Sequence, residues 1–145
     1  MTVIEQMLEK YTLNNIEDEK NAIKEIMQEV TLAGLARTDF FKHTAFYGGT
    51  ALRIFYGLNR FSEDLDFTLL SPSENFDFEK YIPAVKEAVE SLGLEFEAKA
   101  IKKNPAAKIK SAFLKGNTKK QFLIFYPNST YMNQINTNEK IKIKF

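Results

Sequence analysis

Phe46-Tyr47-Gly48-Gly49-Thr50-Ala51-Leu52-Arg53-Ile54-Phe55-Tyr56, followed by Arg60-Phe61-Ser62-Glu63-Asp64-Leu65-Asp66-Phe67, is the stretch on which the rest of the chain depends. Thr44 to Tyr47 is a short run of β-formers that stops at two glycines, and a helical pattern begins straight after them. The spacing predicts a strand, a tight turn and a helix starting at Thr50. Paired glycines let a ligand approach the main chain closely. The first amides of the helix lack partners within it and attract an anion such as a phosphate. Thr50 is placed to cap that helix or to turn its hydroxyl to a ligand. Arg53, three residues on, lies over the same face and reaches toward the same phosphate.

Gly57-Leu58-Asn59 reads as the helix stop and a turn. Asp64 to Leu70 then reads as a strand. Side chains alternate along a strand, so Asp64 and Asp66 share one face and Leu65 and Phe67 the other. Two carboxylates backed by apolar residues make a hard-oxygen site suited to Mg²⁺ rather than zinc, and magnesium commonly shares its coordination with substrate phosphates. A lone Gly-Gly-Thr is usually only a turn, and an Asp-x-Asp pair is more often two solvated side chains. Their conjunction across one short helix is the informative feature.

The chain has 145 residues, enough for one domain with a real core. Thirteen phenylalanines and six tyrosines, with no tryptophan, predict an aromatic and aliphatic interior. The absence of cysteine excludes a disulfide framework, a thiolate metal site and a cysteine nucleophile. No basic-then-apolar leader and no run long enough to cross a bilayer is present, so a soluble cytoplasmic protein without a membrane partner is expected. The net charge of +1 conceals a division: 18 acids and 9 bases stand up to Glu97, and 11 bases with the single acid Glu139 after it. Either the two parts face each other or the second binds an anion.

Residues 1–39 read as N-terminal helices, a short one over 3–11 and a longer amphipathic one from Ile16 to about Ala36, with Asn15 as its cap and Gly34 contributing to a break. Asp39 to Lys42 forms a helical turn that feeds the first strand. The single histidine, His43, has no evident base or metal partner in sequence and reads as a surface or turn residue. Residues 71–75 form a polar loop. Phe78 to Leu92 reads as a second amphipathic helix ended by Gly93, and Leu94 to Ile101 as a strand on which Glu95 and Glu97 share a face, read as a solvated edge. Lys102 to Pro105 is a loop. Gly116-Asn117-Thr118 is expected to be a hairpin turn between two strands, the second being Phe122 to Phe125. Lys140 to Phe145 alternates as a last strand, lysines outward. Its unpaired edge favours self-association into a homo-oligomer.

The Gly48–Arg53 and Arg60–Phe67 blocks resemble the polymerase-β-like nucleotidyltransferases, whose signature is a Gly-Gly or Gly-Ser turn followed by an alternating acidic pair. They look more narrowly like the AbiEii/AbiGii abortive-infection toxin branch, as does Lys110 to Thr118. The resemblance runs from about Phe40 to the C-terminus. It implies an α+β fold, a nucleotidyltransferase-like mixed β-sheet flanked by helices, in a single domain over 1–145 with the sheet core in 40–145. By the same resemblance Asp64 and Asp66 are the catalytic, Mg²⁺-holding pair. Gly48, Gly49, Thr50, Arg53 and Ser62 belong to the site of a nucleoside triphosphate, Arg53 and Arg60 being alternatively ion-pair partners of Glu63 or Asp39. An RNA acceptor hydroxyl and an antitoxin protein are the further partners implied. Family members carry a third carboxylate on a later strand, expected at or just beyond Phe145, and a helical C-terminal domain. Neither has a match in this sequence, which suggests a truncated product. The alternative is therefore a catalytically incomplete remnant that acts as a nucleotide- or protein-binding module.

Overall fold

The computed structural model describes residues 2–58, 61–71, 76–101 and 111–145. Arg60, Lys110, most of the 71–75 loop and the Lys102–Pro105 loop lie outside them. The described residues form α1 (Val3–Leu8), α2 (Ile16–Ala36), α3 (Phe40–His43), β1 (Thr44–Tyr47), α4 (Gly48–Tyr56), β2 (Asp66–Leu69), α5 (Ile82–Glu90), β3 (Glu97–Ile101), β4 (Ser111–Asn117), α6 (Thr118–Phe125) and β5 (Lys140–Lys144). One-turn 3-10 helices precede α5 and β5.

β1 and β2 pair antiparallel, Tyr47 opposite Asp66. β3, β4 and β5 form a second antiparallel set. A parallel bridge between Asp64 and Lys144 joins the two, with the Leu65 amide donating to the Lys144 carbonyl at 3.1 Å. The strands thus form two antiparallel sheets, β1-β2 and β3-β4-β5, linked by this one bridge and flanked by helices in an α+β arrangement. Strand β5, expected to present an unpaired edge, pairs with β4 on one side and meets the aspartate segment on the other through the single bridge at Lys144.

One sheet face is packed and the other is open. Leu114, Ile141 and Ile143 are fully buried with Ile23, Ile26 and Met27 of α2 and Val85 of α5. α2 and α5 can approach because of Gly34, where an added Cβ would meet the Ala84 carbonyl and the Ala88 side chain at 3.0 and 3.1 Å. Gly34 thus lies inside α2 as a contact point and does not break it.

The segment after β4 differs from the expected hairpin. Strand β4 runs through Gly116, and Thr118–Phe125 is a helix capped by Asn117, whose side chain accepts from the Lys120 amide at 3.0 Å. Gly116 is required because an added Cβ would lie 2.8 Å from the Phe96 ring. Helical spacing buries Phe122 and Phe125 and leaves Leu123 and Ile124 exposed. Tertiary packing overrides the β propensity of that apolar run.

Candidate active site

Strand β1 ends at Tyr47 and α4 begins at Gly48, two residues earlier than the sequence suggests. Tyr47 supplies no side-chain cap, so the first amides of α4 are not taken by a capping group. Gly48 has φ +86°, the left-handed region that glycine enters without strain.

The turn and the aspartate segment meet residue by residue. A Cβ on Gly48 would lie 2.7 Å from Oδ2 of Asp66, and one on Gly49 would lie 2.9 Å from Oγ of Ser62. The buried Thr50 hydroxyl donates to the Asp64 carbonyl rather than capping the helix. Asp64 and Asp66 are exposed, whereas Leu65 between them is buried and Phe67 half-buried. The alternation therefore holds, and the carboxylates stand on the open side beside the turn.

A second anchor comes from α2. Gln28, fully buried, donates from Nε2 to the carbonyls of Ser62 at 2.8 Å and Glu63 at 3.0 Å. With Thr50, three successive carbonyls ahead of Leu65 are held by side chains, and the Leu65 amide is held by β5. The acidic segment thus enters its strand with little freedom. One turn earlier on α2, buried Glu25 accepts from the Arg53 guanidinium and, at 2.8 Å, from the Tyr11 hydroxyl. Arg53 also donates to the Leu58 carbonyl at 3.1 Å. The structure places Arg53 there and not on Glu63, Asp39 or the turn. A buried carboxylate left unpaired would be costly, which accounts for the choice.

Gln28 and Glu25 were not among the expected site residues. Their signal in the sequence is faint: two polar residues three apart, a second stripe beside the apolar face of α2. His43 is exposed and lies 3.3 Å from Asp39, away from the acid pair. Glu97 is exposed and pairs with Lys99 at 3.4 Å, and Glu95 is exposed beside Lys120.

Asp64 and Asp66 line a cleft of about 260 Å³ together with Lys144, Ser111 and the rings of Phe40, Phe67, Phe78 and Phe145. Asp66 belongs both to this cleft and to the wall against Gly48. No group of three or more histidine or acidic side chains that could hold a metal occurs among the described residues. Beside Asp64, strand β5 presents Lys140, Lys142 and Lys144. Two exposed carboxylates still fit magnesium, which keeps several waters and takes one or two carboxylates plus substrate oxygens.

No helix among the described residues is long and apolar enough to cross a membrane. Residues 30–145 match the family model described as nucleotidyl transferase AbiEii toxin, Type IV TA system. Comparison with curated proteins yields no match, and neither does comparison with solved structures.

Proposed function

Because the chain belongs to the AbiEii nucleotidyl transferase toxin family, we propose that it transfers a nucleoside monophosphate from a nucleoside triphosphate to an acceptor hydroxyl, with RNA as the acceptor class and Mg²⁺ as cofactor. The observation that carries this reading is the direct contact of the glycine turn with the aspartate segment, Gly48 against Asp66.

Each residue has a role set by its place. The uncapped amides at Gly48, Gly49 and Thr50 face the triphosphate oxygens, where the helix dipole favours negative charge. Ser62, against Gly49, adds a hydroxyl to the same wall. Asp64 and Asp66 hold magnesium, which when bound offsets the charge developing on the phosphates. Gln28 and Thr50 position the two acids by fixing the backbone ahead of them. In the reaction the acceptor hydroxyl gives up its proton to solvent as its oxygen bonds to the α-phosphorus, the bond from the α-phosphorus to the bridging oxygen breaks, and pyrophosphate leaves with that oxygen. Catalysis of this kind is mostly alignment and electrostatic stabilisation.

Asp64→Asn and Asp66→Asn should each lower labelled-nucleotide incorporation by at least about a hundredfold while leaving the circular dichroism spectrum intact. Unchanged incorporation in both variants would dismiss the assignment. That no third acidic side chain joins Asp64 and Asp66 among the described residues favours a second reading, a module that binds nucleotide without turnover. Calorimetry with each nucleoside triphosphate, with and without Mg²⁺, separates the two: binding with no incorporation into any acceptor selects the second.

A further inference from the structure

Among the described residues, the lysines of the basic half are only partly paired with acids. Of its described lysines, Lys99 and Lys120 pair with nearby Glu97 and Glu95, and Glu139 pairs with Lys20. Lys115, Lys140, Lys142 and Lys144 have no ion-pair partner among the described residues and stand on the open face of the sheet. Lys115 and Lys142 are directly opposite each other across β4 and β5. Like charges in that register are destabilising; on its other side Lys115 is in register with Glu97 of β3, whose carboxylate pairs with Lys99 at 3.4 Å.

Between these lysines stands an aromatic ring. Phe113 of β4 is half-buried on the same face, in register with Lys144, and Lys144 is in turn in register with Asp64. One lateral row thus leads from the ring, past an ammonium, to the acid pair. At the ordinary strand separation it is about 10 Å long. Lys142 Nζ lies 5.3 Å from the Phe113 ring centre. That exposed contact is weak, and the ammonium is free to move to a phosphate when a base takes the ring.

We propose that this open sheet face binds a single-stranded nucleic acid, with phosphates on Lys115, Lys140, Lys142 and Lys144 and a base stacked on Phe113. Lysines interleaved with an aromatic ring are the chemistry that binds an unpaired strand, since a duplex offers no free base face. The row then delivers the neighbouring nucleotide to Asp64. That the bound strand is the acceptor rests on the transferase reading above. That the face binds a strand does not.

The test is fluorescence anisotropy on the full chain, with labelled short single-stranded RNA, the same sequence as a duplex, and inorganic polyphosphate as competitor, over a range of KCl. Lys115→Gln/Lys142→Gln should weaken single-strand binding by about tenfold and make the slope of log K against log salt shallower by about 1.4, two charges' worth. Phe113→Leu should weaken it by about tenfold, leave the slope unchanged and not affect the duplex. Lys142→Arg should bind as the parent does. Parent-like binding by both the double-lysine and the Phe113 variants overturns the proposal. So does equal affinity for duplex or polyphosphate with no dependence on Phe113. Asp64→Asn should retain strand binding, so loss of transfer there, or an absence of transfer in the parent, bears on the transferase reading alone.

Discussion

Gly48 is the residue where backbone conformation and chemistry coincide. Its φ of +86° costs an alanine about 1–2 kcal/mol, and a Cβ there would sit 2.7 Å from Asp66 Oδ2. A carboxylate end can rotate away, so the larger effect falls on the site. Gly48→Ala should lower stability by about 1–2 kcal/mol in urea titration. Magnesium-dependent nucleotide binding should weaken by about tenfold or more, read by calorimetry. Gln28 is the complementary case, buried and remote in sequence. Gln28→Leu keeps the volume but removes the donors to the Ser62 and Glu63 carbonyls. The Oε1 atom of Gln28 has no hydrogen-bond partner among the described residues, and its removal offsets part of that loss. The expected net cost is about 1–2 kcal/mol, with transfer reduced in proportion to the freedom regained by the aspartates.

At the scale of elements, α2 does two jobs. Its apolar side joins the sheet and α5, while Glu25 and Gln28 hold α4 and the aspartate segment. Two tyrosines tie further segments to it: Tyr11 donates to Glu25, and Tyr126, just after α6, donates to the Glu19 carbonyl at 2.8 Å. Burial, and for Tyr11 the Glu25 carboxylate, push both phenols well above the ordinary tyrosine range. The folded state therefore keeps protons that the unfolded chain loses above about pH 10. Their contribution is fully present below that pH and declines as pH rises beyond it. Stability measured by urea titration should fall with pH above about 10, with up to two protons in the slope. Tyr11→Phe should remove one of those protons, and an unaltered slope would rule out this assignment.

At the scale of the molecule, the bridge from Asp64 to Lys144 links two antiparallel sheets. It also sets the acid pair next to the basic face. The Leu65 amide, bonded to the Lys144 carbonyl, is the reporter of that join. In hydrogen exchange it should be protected to the level of the β4–β5 amides, whereas exchange at the rate of a loop would mean that the two sets open independently. The alternating strands, the capped α2 and the glycine turn were legible in the sequence, as were the same-side aspartates. The second strand expected at Phe122–Phe125 was not, because a short apolar run has no period of its own and Asn117 capping with Phe122 and Phe125 burial made it helical.

Sequence alone determined what depends on neighbouring residues: the two-residue period that puts Asp64 and Asp66 on one side, and the freedom at Gly48 that allows a sharp strand-to-helix turn. Tertiary structure alone decided which distant groups meet there. Glu25 takes Arg53, Gln28 fixes the carbonyls before Asp64, and Lys144 stands beside that acid. These partners come from separate elements, and a local pattern carries no trace of a contact made only when helix and sheet close on one another.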